Sequence, residues 1–205
     1  LSVAIAPIAL ILLTAGLGFK IAAVPFHFYA PDVYQGCSNS NAGLLAVAPK
    51  IAGIVAILRL LVVAMHWVAD IGWQLAIVLA VLTMTIGNVC ALWQTNIRRL
   101  MAYSSIAHAG YMLIGVAVAF AFHEGTSANG GVSATLFYLL VYVCASLGTF
   151  ATLVVLGSSE HEVSGIDELA GLARKRPAIA AMMAVFMFSL AGIPPLAGFW
   201  GKLTN

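Results

Sequence analysis

Three lysines interrupt long apolar stretches of this 205-residue sequence: Lys20, Lys50 and Lys202. A charged side chain in hydrocarbon costs at least about 2.5–3.5 kcal/mol on insertion scales, and such residues mark ion or proton paths. A lysine that is desolvated or set near other positive charge gives up its proton more easily, so it can load and unload near neutral pH. Arginine does not deprotonate, so Arg59 reads as a fixed charge or as the partner of a carboxylate. His108 joins the lysines. Nine residues after Arg99, it lies roughly 13 Å along a helix, close to the middle of a hydrocarbon core about 30 Å thick. Ser104, His108, Tyr111 and Gly115 recur at i, i+4, i+7 and i+11, one polar stripe. The unperturbed imidazole pKa of about 6.5 suits a relay; a satisfied structural histidine is the plain alternative. Tyr138, Tyr142 and Ser146 share a face of the next apolar segment and read as packing or interhelical glue rather than water contact.

The stretch that must position the first lysine is Gly18 to Gly36, GFKIAAVPFHFYAPDVYQG. It ends an apolar run and then breaks it at Pro25 and Pro31. Pro25 removes one helical donor and frees the carbonyl of Ile21, one residue after Lys20. Freed backbone at membrane depth is tolerated only when it is buried in protein or lines a wet cavity. His27 sits inside the break, where freed carbonyls and water can meet it, and reads as part of a proton path. Asp32 reads as a cap or turn residue of the second half-helix. The plain alternatives are snorkelling for Lys20, with prolines that merely end a helix, and interfacial snorkelling for Lys50. A second break, Ile193-Pro194-Pro195, precedes Lys202. Two interrupted helices, each with one lysine, are the signature of an internally repeated transporter fold.

Composition sets the class. Of the residues, 62% are hydrophobic and 8% charged, against about 25% charged in a soluble domain. The expectation is an all-α, polytopic membrane helix bundle with proline-broken helices, forming one transmembrane domain. Six spans are expected: 2–34 (broken), 43–67, 74–93, 100–122, 132–157 and 178–205 (broken). His66, Trp67, Asp70 and Trp73 mark an interface, and His123 to Gly131 reads as a polar loop. His66, His123 and His161 lie near loops and carry no signal. Arg98, Arg99, Arg174, Lys175 and Arg176 fall in the loops after the third and fifth spans, which share one side; that side is expected to be cytoplasmic. The acidic group Glu160, Glu162, Asp167 and Glu168 does not oppose this, since the rule is not about net charge. Ile166 to Arg176 is expected as a short helix on that surface. A net charge of +2 without a basic cluster gives no reason to expect nucleic acid. Cys37, Cys90 and Cys144 share no metal-ligand spacing. No nucleotide-binding glycine loop, no CxxC cluster and no paired nucleophile and base stand out, so no cofactor or metal is expected on this chain. The sequence does not start with methionine and stops inside an apolar segment, and it reads as a piece of a longer protein.

The segments GFKIAAVPFHFYAPDVYQG, QTNIRRLMAYSSIAHAGYMLIG, LFYLLVYV, DELAGLARKRP and SLAGIPPLAGFWGK together resemble the antiporter-like membrane subunits of proton-pumping NADH–quinone oxidoreductase, respiratory complex I. The PDVYQG and SSIAHAGY forms are closest to the subunit N branch, and the resemblance covers nearly the whole chain. It implies a stretch from about the seventh to the twelfth helix of an inverted-repeat fold. It also implies roles: Lys20 as central lysine of the first broken helix, Lys50 as connecting lysine, His108 as the polar histidine of the tenth helix and Lys202 as the lysine of the twelfth. The fifth-helix glutamate that partners the first lysine in the family has no counterpart here, and CSNSN replaces the usual turn after PDVYQG. The implied function is proton translocation through Lys20, His27, Lys50, His108 and Lys202, as a subunit of a translocase. NADH, FMN, iron–sulfur clusters and quinone would be handled by partner subunits. Antiporter-like neighbours and the lipid bilayer would be the partners. The expected location is a bacterial inner (plasma) membrane, with an organellar inner membrane as the alternative. A cation/proton antiporter subunit and a structural membrane module remain as other readings.

Overall fold

The computed structural model describes residues 2–63, 69–121, 126–157 and 162–204. His66, Trp67, His123, Glu160 and His161 lie outside these residues. The described elements are α1 (Ser2–Ile21), α2 (Tyr29–Gly36), α3 (Asn39–Ile57), a π-helical continuation (Leu58–Val63), α4 (Ala69–Ala91), α5 (Ile97–Ala121), α6 (Thr126–Leu156), a 3-10 turn (Asp167–Leu169), α7 (Leu172–Lys175), α8 (Pro177–Ala191) and α9 (Ala197–Thr204). Every named element is helical, and the fold is all-α. Among the described residues, four helical stretches are long and apolar enough to cross a membrane: Asn39–Leu60, Ala69–Ala91, Ile97–Ala121 and Gly130–Leu156.

Local chemistry sets several ends. Ser38 is extended, and its hydroxyl accepts from the Asn41 N–H at 3.4 Å, so α3 starts at Asn39, ahead of the limit expected at 43. Pro177 stands at the first turn of α8, where its missing N–H leaves no orphan. Residues 126–131, expected in a polar loop, form the first turns of α6. The expected helix over Ile166 to Arg176 is not continuous. Gly171, at φ 75, is left-handed and separates the 3-10 turn from α7, so the segment is two short turns.

α5 is the central helix. In its most apolar window 72% of the residues are buried, against 22% in α4, whose Val78, Val81 and Leu82 face outward. α5 packs against α2, α3, α4 and α6, and α6 in turn meets α3, α8 and α9. Small residues permit the closest of these approaches. A methyl group on Gly87 of α4 would stand 2.8 Å from the Ala107 backbone nitrogen, and one on Gly110 of α5 2.9 Å from that of Met84.

The loops after α4 and α6 meet at one end of the bundle. The Ile97 N–H donates to the Ser164 carbonyl at 2.8 Å, and the Ile166 N–H to the Thr95 carbonyl at 3.0 Å. Arg98 donates to Glu162 at 3.0 Å and to the Cys37 carbonyl at 2.8 Å. Asn39 adds bonds to Glu162 and to the Val163 carbonyl. The two loops that hold the basic residues therefore share an end.

Candidate functional site

Two helix breaks frame the site, and they end their first halves alike. At α1 the Ala23 N–H reaches back to the Gly18 carbonyl at 2.8 Å and the Ala22 N–H to Phe19 at 3.1 Å. At α8 the Ile193 N–H reaches Phe188 at 3.0 Å and the Gly192 N–H reaches Ser189 at 3.1 Å. Both are Schellman terminations with a left-handed residue just past the end. That residue is Gly192 (φ 83) in one break and, unusually, Ala22 (φ 58) in the other.

In the first break the Val24 N–H would be stranded, and the buried Thr83 hydroxyl of α4 accepts from it at 3.0 Å. The Tyr29 hydroxyl donates to the Phe19 carbonyl at 2.8 Å, and its ring stacks on Phe19 with centroids 4.5 Å apart. Asp32 is not a cap: the residue before α2 is Phe28, which makes no side-chain cap bond. Asp32 instead pairs with Arg99 at 2.6 Å, and Arg99 also donates to Gln35 and Gln94. Asp32 sits in the first turn of α2, so Arg99 reaches its carboxylate from the start of α5.

Between the breaks runs a buried polar line. Lys50, on α3, is 3% exposed, and its Nζ lies 2.5 Å from Ser105 Oγ on α5. Ser105 Oγ is also 2.8 Å from the Tyr142 hydroxyl on α6 and 3.3 Å from that of Tyr34 on α2. Tyr142 donates onward to the Ala46 carbonyl at 3.1 Å. One turn further along α5, His108 Nδ1 is 2.6 Å from the Tyr138 hydroxyl, and the His108 and Tyr142 ring centroids are 5.2 Å apart. Tyr111 stands 6.0 Å from His108, and the Lys202 ammonium lies 4.7 Å over the Tyr111 ring. Lys202 also donates to the Leu190 and Ala191 carbonyls at 2.9 and 3.0 Å, a cation at the negative end of α8. Among the described residues the salt bridges are those of Arg98 and Arg99, so Lys50 and Lys202 have no carboxylate partner there.

Two cavities extend the line. A small one of about 40 Å³ is lined by Lys20, Tyr29, Tyr34 and Lys50; a void above roughly 15 Å³ admits a water where polar groups can hold it. A larger one of about 540 Å³ is lined by Ser104, His108, Tyr111, Lys202, Asn88 and Gln94. Gln94 belongs to the loop after α4, so this cavity runs from Lys202 toward the loop-bearing end.

Thus Lys20 and Lys50 share one cavity, and His108 and Lys202 share the other. Lys20 is exposed, not buried. His27 is half-buried and lines neither cavity, and its buried Nδ1 has no partner among the described residues. Arg59 is exposed, with no carboxylate beside it among the described residues. Reading the sequence missed Ser105, Tyr34 and Thr83 and gave Tyr138 and Tyr142 a packing role. A signal existed for the tyrosines: two phenols one turn apart on an apolar face need hydrogen-bond partners once buried.

Residues 3–205 match the family described as NADH:quinone oxidoreductase/Mrp antiporter, TM. The chain belongs to that family. It is 46% identical to NADH-quinone oxidoreductase subunit N of Rhodospirillum rubrum over 195 residues, 95% of this chain and 38% of the relative. It superposes on a chain of respiratory complex I from Thermus thermophilus with a TM-score of 0.77 and 40% identity, covering 95% of this chain and 40% of that one. A chain of the Mrp complex from a Dietzia species gives a TM-score of 0.84 at 29% identity, over 97% of this chain and 35% of that one. The chain therefore spans about two fifths of the length of these relatives. As a member of the antiporter-like family it is a multi-pass membrane protein, and its two interrupted helices belong to that fold.

Proposed function

We propose that the chain is part of a proton-translocating membrane subunit of NADH–quinone oxidoreductase, respiratory complex I, in a bacterial plasma membrane. It is the translocating part of an enzyme whose redox chemistry lies elsewhere. NADH, FMN, iron–sulfur clusters and quinone belong to other subunits, and the chain's neighbours are antiporter-like subunits and lipid. Protons pass along Lys20, Lys50, His108 and Lys202, with His27 beside the first break rather than on the line. The observation that carries this reading is the amine of Lys50, buried, with no acid partner among the described residues, and bonded to a run of hydroxyls. An amine so placed exchanges its proton with the hydroxyl it is bonded to or with a water.

The test uses the assembled complex in membrane vesicles. Lys50→Ala and Lys202→Ala should abolish NADH-driven proton pumping and slow electron transfer. Unchanged pumping in both would leave a structural module. The fold likeness to the Mrp complex supports a second reading, cation/proton antiport. Proton exchange that requires sodium or potassium and proceeds without NADH would establish it instead.

A further inference from the structure

Ser105 is the one described residue in the line whose side chain meets three helices. Its hydroxyl touches Lys50 of α3, Tyr142 of α6 and Tyr34 of α2, and all four side chains are buried. Counting protons fixes their directions. A serine hydroxyl has one proton to give and two lone pairs, and a carbonyl accepts only. The Ala46 carbonyl therefore holds the Tyr142 proton. The contact between Ser105 and Tyr142 must then be filled by the Ser105 proton. The two lone pairs of Ser105 receive Lys50 and Tyr34. The one proton and both lone pairs of Ser105 are then used.

This arrangement passes no proton beyond Tyr142. A proton leaving Lys50 would break its Nζ–H bond and form a new O–H bond at Ser105. The original Ser105 proton would move to Tyr142, and the phenol proton would have to go on. Ala46 cannot take it. We propose that Ser105 and Tyr142 form a hydroxyl gate between Lys50 and His108, which the Ala46 carbonyl holds shut. The gate opens when the Tyr142 O–H turns from Ala46 toward His108, whose ring centroid is 5.2 Å from its own. Lys50 is then left as a neutral amine and His108 as an imidazolium. Tyr142 and His108 share no hydrogen bond in the closed state, so opening must also bring the phenol oxygen up to an imidazole nitrogen, and with Nδ1 at the Tyr138 hydroxyl the proton enters at Nε2. The Tyr142 hydroxyl thus decides when charge at one station reaches the next. This inference rests on the relay reading above.

The experiment compares variants in the assembled complex, each rate normalised to the complex present on a native gel. Ser105→Thr and Ser105→Val have nearly the same shape and differ by a hydroxyl. Ser105→Thr should pump, and Ser105→Val should fall to the Lys50→Ala level. Tyr142→Phe, which keeps the ring, should fall equally, and the double variant S105V/Y142F should lose no more than either single one. Equal, active pumping in the threonine and valine variants overturns the gate, as does wild-type pumping in Tyr142→Phe. If threonine and valine are equally inactive, the Tyr142→Phe result decides. Lys50→Ala separates the two ideas. Loss there with normal pumping in Ser105→Val sinks the gate alone, whereas normal pumping in Lys50→Ala sinks the relay and the gate with it.

Discussion

At the scale of single residues, Lys50 shows how far composition and spacing reach. An amine in apolar sequence announces itself, and so does a histidine nine residues past an arginine pair. Which serine serves the amine does not. Ser104 and Ser105 are adjacent, and helical periodicity admits either; packing decides, turning Ser105 into the core toward α3 while Ser104 lines the larger cavity. The site's dependence on burial leads to a prediction. A buried ammonium without an acid partner contributes little to stability, and replacing buried charge by apolar volume is often neutral or favourable. Lys50→Met should leave the thermal midpoint of the assembled complex unchanged or raised while pumping is lost. A midpoint several degrees lower would mean that the amine is structural. Lys202 differs, because it caps two carbonyls of α8. Lys202→Met should lower the midpoint as well as pumping.

At the scale of elements, the breaks at Pro25 and at Pro194-Pro195 are legible because proline withdraws a donor wherever it stands. What satisfies the interrupted backbone is not legible. The partner of Val24 is Thr83, 59 residues away on another helix, and no local pattern points to it. Thr83→Val should leave that N–H unpaired in the core, at a cost of about 1–3 kcal/mol, and Thr83→Ser should recover most of it. Thermal unfolding of the complex would measure both; equal midpoints in the two variants would refute the bond's importance. The matched terminations give an opposed pair. Ala22→Gly should stabilise by up to about 1 kcal/mol, because glycine accepts the left-handed conformation freely. Gly192→Ala should destabilise by at least that much, since its methyl would also stand 2.9 Å from Lys202 Cδ. Gain and loss would be read in the same unfolding assay. The segment from Ile166 to Arg176 shows the opposite limit: its helix-forming composition was plain, yet one glycine at φ 75 divides it.

At the scale of the whole molecule, the all-α membrane class follows from a charged fraction too low for water. The shared end of the two basic loops follows from counting spans between them. The zipper that joins those loops, from Arg98 to Glu162 and from Ile97 to Ser164, is a tertiary fact that no window of sequence contains. Their common end should face the cytoplasm. A cysteine introduced as Asp167→Cys or Ala170→Cys, both exposed positions, should react with an impermeant thiol reagent in inside-out vesicles and stay unlabelled in right-side-out ones. The reverse pattern would invert the topology.

The threonine that closes the first break also has an electrical meaning. A membrane that stores a voltage must be an insulator wherever it is not deliberately a wire, and an unpaired peptide group at mid-depth invites a chain of water. By answering the Val24 amide from a neighbouring helix, Thr83 leaves no open amide there for water to follow. Its loss would then show twice, as a less heat-resistant assembly and as vesicles that discharge their gradient faster when no fuel is being burned.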